Sequence, residues 1–120
     1  MGEQKKSLRD ICFEADDIKR EIVHLPEWGM KIEARTISAE DYAWLTVIAN
    51  ESGRTDYRSL FPDIVVAGSY VPGDGDEKVF KPEDAEKLKK KSNAPMKRLA
   101  DAILRLSGMS AEGVDELKKD

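Results

Sequence analysis

The run "MKIEARTISAEDYAWLTVIAN", Met30 to Asn50, changes its hydrophobic period partway along. Up to Arg35 the apolar residues recur at every second position. Met30, Ile32 and Ala34 fall on one side, and Lys31, Glu33 and Arg35 on the other. A β-strand sends successive side chains to opposite faces, so this is the pattern of a half-buried strand. After Ser38 the spacing turns helical: Tyr42, Leu45, Ile48 and Ala49 form a stripe, and Trp44 and Val47 widen it toward a well-buried helix. Ser38 is a strong N-cap residue, with Asp41 three positions later in a near capping box. Just upstream, "IKREIVHL" places Ile18 and Ile22 on one side of an extended segment, and "PEWG" supplies Pro26 and Gly29 as turn formers. Residues 18–37 therefore predict a β-hairpin with a loop of about four residues. A hairpin running directly into a helix sets an α+β expectation.

The remaining segments add helices. "SLRDICFEADD" carries one short helical turn capped by Ser7, within a partly flexible N-terminus of residues 1–17. Residues 56–70 read two ways. Pro62 suits the first turn of a short helix from Pro62 or Asp63 to Ala67, while "IVVAGSYV" equally fits a strand. "KVF" reads as a short strand, and "KPEDAEKLKKKS" as a helix with Pro82 in its first turn, acids at its start and lysines at its end. "APMKRLADAILRLSG" has the strongest stripe: Met96, Leu99, Ala100, Ile103 and Leu106, helped by Leu104, with Gly108 as C-cap. Residues 111–120 give a marginal C-terminal helix or tail, weakened by Gly113. The expected fold is one α+β domain over residues 18–110, an N-terminal antiparallel β-hairpin packed on a small bundle of about four helices.

Charge narrows the function. The chain has 20 Lys plus Arg against 24 Asp plus Glu, a net charge of -4, which gives no overall field for holding nucleic acid or an anionic membrane. Cys12 is the single cysteine, so no intrachain disulfide forms, as suits a reducing cytosol. "MGEQKKSLRD" lacks the apolar core of a signal peptide, and no apolar run approaches the ~18 residues of a membrane span. The expectation is a soluble intracellular protein.

One stretch invites a metal reading. "VPGDGDEKVF", Val71 to Phe80, sets Asp74 and Asp76 around a glycine. An EF-hand loop counted from Asp74 passes at position 3 with Asp76. It then fails with Lys78 at position 5, Val79 at position 6 and Ala85 at position 12. The alternative is a turn built on Pro72, Gly73 and Gly75, and it is the favoured reading. His24 and Cys12 occur once each without a nucleophile signature, and are expected to be a half-exposed strand histidine and a buried small thiol. "GSYVPGDG" lacks the lysine and hydroxyl of a phosphate loop, and "KLKKKS" reads as a solvated helix end. No catalytic residue, cofactor site or metal site emerges, and the chain is expected not to be an enzyme. Trp28, in the hairpin turn, is either a packing residue or an exposed anchor for a partner.

The order of three motifs, "IVHLPEWGMKIEARTISAED", "GDGDEKVFKPEDAEKLKKKS" and "MKRLADAILRLSG", resembles the tail assembly chaperones of long-tailed bacteriophages and prophages. The likeness spans residues 18–110. It implies a non-catalytic protein of the host bacterial cytoplasm that binds and solubilises the phage tape measure protein, helps recruit tail tube subunits, and is absent from the mature virion. Its partners are then the tape measure and tail tube proteins, with no nucleic acid and no membrane, and a homo-oligomer stays open. Trp28, Val114 and Leu117 are the candidate partner-binding residues, the last two on the apolar side of the marginal C-terminal helix. The rival readings are a structural tail or head-tail connector component and a small nucleic-acid-binding regulator.

Overall fold

The computed structural model describes residues 6–53, 57–73 and 75–109. Helix α1 spans Leu8–Glu14, and Ser7 caps it by accepting a hydrogen bond from the Asp10 N–H. Strand β1, Arg20–Leu25, and strand β2, Met30–Arg35, form the antiparallel hairpin. They are joined by a 3₁₀ turn, Pro26–Trp28, and by Gly29. Gly29 has φ 64°, a left-handed angle that glycine takes without steric cost. The four-residue loop matches the expectation.

Helix α2 comes next at Ala39–Ser52, capped by Ser38, whose hydroxyl accepts from the Asp41 N–H. Helix α3 runs Phe61–Gly68 and leads into a two-residue strand β3, Ser69–Tyr70, which pairs antiparallel with β2. Both readings of residues 56–70 are therefore partly realised: the helix takes the apolar run, and the strand takes only Ser69 and Tyr70. Helix α4 is one turn, Ala85–Leu88, after a 3₁₀ turn at Pro82–Asp84. Helix α5, Asn93–Leu106, closes the described chain. The fold is α+β, with a three-stranded antiparallel sheet in the order β1-β2-β3 and five α-helices among the described residues.

Helix α5 organises the core. Met96, Leu99, Ala100 and Ile103 of the expected stripe are buried, together with Ala102 and Leu104. One side of α5 packs on β1 and β2, and another packs on α3. Its end is a Schellman motif: Met109 N–H donates to Leu104 O at 2.8 Å, and Gly108 N–H to Arg105 O at 3.1 Å. Helix α3 is buried at every one of its eight positions, as an element that is apolar nearly all round must be. Val23, Leu25, Ile32 and Ala34 supply the core face of the sheet.

Several sequence expectations change. In β1 the register pairs Val23 with Ile32, so Val23 and Leu25 face the core and Ile22 is exposed on the other side. In β2 the polar residues do not all face solvent, because Glu33 and Arg35 are buried. Helix α2 is less buried than its stripe implied: Leu45 and Ala49 are buried, Trp44 is half-buried and Val47 is exposed. The interior that α2 would have filled is occupied by α3. Cys12 is exposed rather than buried, since α1 places no residue in the core. "KVF" contributes only a bridge between Lys78 and Tyr70. The "EDAEKL" helix is a single turn, because only Ala85 and Leu88 are buried in it and three lysines come after. The C-terminal segment with Val114 and Leu117 lies outside the described residues.

Helices α3 and α5 approach closely at Gly68. A Cβ added at Gly68 would stand 2.6 Å from Ile103 Cγ2. Gly68→Ala is therefore expected to destabilise the protein by about 1–3 kcal/mol through overpacking, despite alanine's better helix propensity. Urea denaturation measures it, and an unchanged midpoint would mean that α3 and α5 can separate at no cost.

Candidate partner-binding surface

The sheet has a polar face, built by the residues that alternate with the core set. Arg35 lies there at 3% exposure and Glu33 at 5%. A buried guanidinium needs its donors matched and its charge compensated. Here Arg35 Nε donates to Glu33 Oε2 at 2.8 Å, Nη1 to Asp76 Oδ1 at 2.8 Å, and Nη2 to Gly75 O at 2.5 Å. Its guanidinium carbon sits 4.0 Å from the centre of the Tyr70 ring, a cation–π contact. Burial works against the charge, but the hydrogen bonds to Asp76 and Glu33 outweigh it, and the Arg35 pKa is raised. Gly73 N–H points to Glu33 Oε1 at 3.4 Å. Val71 N–H donates to Glu77 O and Val79 N–H to Ser69 O, which closes an irregular hairpin around the turn.

The Gly-Asp stretch is thus a turn clasped to the sheet by an arginine. Asp76 spends a carboxylate oxygen on Arg35, and a bound divalent cation there would meet that positive charge at close range. Asp74 lies outside the described residues. Among the described residues no group of three or more His, Cys, Asp or Glu side chains is placed to hold a metal ion, and no helix is long and apolar enough to cross a membrane. His24 is exposed on β1.

Trp28 is half-buried: it packs against the core and also lines a groove of about 430 Å³ with Met30, Val79, Phe80 and Leu88. Glu27 and Lys91 stand at the rim. The hairpin turn supplies Trp28, the start of β2 supplies Met30, and α4 supplies Leu88. An adjoining hollow of about 220 Å³ shares Phe80, Leu88 and Lys91 and adds Asp84 and Lys87. On its other side Phe80 lines a third hollow, about 210 Å³, with Trp44, Val66 and Ala67. There Lys78 Nζ reaches both Asp41 carboxylate oxygens at 3.0 Å. Phe80 is therefore a ridge between two apolar depressions. Sequence reasoning found Trp28 but missed Met30, Phe80 and Leu88. Phe80 did carry a signal, as a lone aromatic inside the charged run "DEKVFKPED".

Two ion pairs hold the groove's hairpin wall against α5. Arg98 makes a two-pronged contact with Glu27 at 2.8 Å on each oxygen, and Arg105 does the same with Glu21 at 2.6 and 3.1 Å. The two arginines stand two helical turns apart; Glu21 lies near the start of β1 and Glu27 in the turn after it. The Arg98 hydrogen bonds, helped by a backbone N–H, pull the Glu27 carboxyl from 4.5 to about 2. Arg105 likewise lowers Glu21.

Arg35→Ala is expected to cost about 3–5 kcal/mol in urea, because Glu33 would stay buried without its main counter-ion. Asp76→Ala, on a side chain that is 85% exposed, is expected to cost only about 0–1 kcal/mol. Pairing Arg35→Met with Glu33→Leu should recover most of the loss. Equal stability of Arg35→Ala and wild type would show that the clasp contributes nothing.

Acid should loosen the groove wall. A carboxyl whose pKa is lower in the folded chain adds stability above its unfolded pKa, and that stability drains away as pH falls toward the folded value. For Glu27 the window runs from 4.5 down to about 2. Melting temperature followed across that window should fall less steeply in Glu21→Gln/Glu27→Gln than in wild type. Parallel curves would rule these pairs out as the cause.

No protein-family model, no curated protein and no solved structure gives a significant match to this chain.

Proposed function

We propose that the protein is a non-catalytic assembly chaperone of the phage tail type, which receives an amphipathic helix of the tape measure protein in the groove between Trp28, Phe80 and Leu88. The groove is the observation that carries the reading. Its floor is apolar and aromatic, its rim is charged, and it is walled by three different elements. Such a trough suits the apolar stripe of a helix, with anchors spaced at i, i+3, i+4 and i+7. Trp28 has the character of a binding hot spot, a large ring partly held by its own core. The resemblance of the three motifs supplies the class of partner. On this reading the protein acts in the host bacterial cytoplasm, keeps the long helical partner soluble and helps bring tail tube subunits to it.

A second reading has its own support. Helix α1 exposes Leu8 and Phe13 almost fully, as a segment awaiting a neighbour would. A structural tail or head-tail connector component would bury it in the assembled particle.

Co-expression separates the two. A long tape measure protein alone should aggregate through its uncovered apolar stripes. With this protein it should stay soluble and co-purify. Met30 is 49% exposed, so Met30→Glu should leave the fold intact while weakening the complex by about tenfold or more. If the wild-type protein neither binds nor solubilises the partner, the chaperone reading fails. Finding the protein in purified particles would then favour the structural component.

A further inference from the structure

We propose that two copies of this chain associate by exchanging N-terminal arms, each α1 lying in the Trp28–Phe80–Leu88 groove of the other copy. The inference holds whether or not the same groove also serves a tape measure helix.

The arm is built as a docked element yet none of its residues, Leu8–Glu14, is buried among the described residues. Leu8, Ile11 and Phe13 are 81%, 51% and 76% exposed. The helix is nonetheless well formed. Ser7 caps its start, Ala15 N–H donates to Ile11 O at 3.1 Å, and Lys6 bridges to Glu14. Seven residues are too few for a helix to persist in water by propensity alone, so packing must supply the rest.

The shape of its apolar surface favours a groove over a flat face. At roughly 100° per residue, Leu8, Ile11, Cys12 and Phe13 spread over a little over half the circumference, with Arg9 between Cys12 and Phe13 and with Asp10 and Glu14 on the remainder. A helix lying in a trough is contacted over about that width. The groove offers the matching surface: Trp28, Met30, Phe80 and Leu88 on the floor, with Lys87 and Lys91 beside it.

Charge agrees. The segment from Leu8 to Asp17 holds Asp10, Glu14, Asp16 and Asp17 against Arg9 alone. Lys91 lines the groove and Lys87 the adjoining hollow, both exposed and neither in an ion pair among the described residues. The acids beside them are engaged already: Glu27 is held by Arg98, and the Asp84 carboxylate accepts from the Lys81 N–H. Complementary charge of this kind sets orientation and register.

Area favours a reciprocal exchange. One arm in one groove would bury on the order of 800 Å² counting both surfaces, the size of a weak contact, whereas two arms reach about 1,600 Å², the size of a standard stable interface. A two-fold arrangement also closes on itself, so the expected product is a dimer and not a fibre.

Sedimentation equilibrium on the full chain tests this. Wild type should be a concentration-dependent dimer. Leu8→Asp/Ile11→Asp should be monomeric at the same concentration, with unchanged circular dichroism, because both residues are exposed in the single chain. Lys87→Glu/Lys91→Glu should weaken the dimer by about tenfold, and adding Asp10→Lys/Glu14→Lys to that variant should restore it. The proposal is overturned by wild type that stays monomeric up to about 100 µM, which would leave the arm to its own groove or to another partner. It is equally overturned by a dimer indifferent to both sets of substitutions, or by a mass that grows with concentration without closing at two.

Discussion

The structure depends on one helix having two neighbours. Helix α5 must bury a stripe too broad for a single contact, and it does so by dividing the stripe between the sheet and α3. The sheet side demands that Val23, Leu25, Ile32 and Ala34 face inward, which fixes the hairpin register, because a slip of one residue would turn every one of them outward. The α3 side demands close approach, and Gly68 against Ile103 provides it. Once α3 holds the interior, α2 can lie only at its margin. That explains why a helix with a broad apolar stripe leaves Val47 in solvent. The paired arginines, Arg105 and Arg98, then link the same helix to the start of β1 and to the turn that follows it.

The other face of the sheet obeys a different logic. It is polar, yet part of it is buried, and the covering is a turn held by side-chain chemistry more than by apolar contact. Arg35 is the centre. Its guanidinium lies over Tyr70, and its fork is filled by Glu33, Asp76 and the carbonyl of Gly75. Such a clasp adds little net stability compared with an apolar packing of equal size, but it specifies where the turn goes. Placing that turn also places Val79 and Phe80 after it, so the clasp on one face sets the aromatic ridge on the other side of the loop.

Part of the exposed surface is apolar in an organised way. Phe80 separates two depressions, Trp28 anchors one and Trp44 the other, and an acidic, apolar arm extends from the N-terminus. Contiguous apolar surface of this kind marks sites of association. A protein that works by covering another chain's apolar stripe needs such surface, and needs it protected when the other chain is absent. The proposed arm exchange would cover that surface in the meantime.

The sequence by itself determined the local elements. The alternation of Met30 to Arg35, the PEWG turn, the Ser38 cap and the stripe of α5 each encode their structure within a few residues, because period, capping and turn chemistry are short-range. It also contained the departure from a calcium loop, legible in Lys78 and Val79 where ligand and glycine should stand. Only the tertiary structure decided which polar residues go inside. Nothing near Arg35 in the chain announces Asp76, 41 positions on, as its partner. The same holds for the groove. Trp28, Phe80 and Leu88 come from three segments that meet only after α5 has packed on the hairpin and on α3, and α3 on α4, and burial is a property of that meeting and not of any one stretch. Cys12 shows the converse: a residue type that is usually buried stays outside here, because among the described residues the helix that carries it places no side chain in the core.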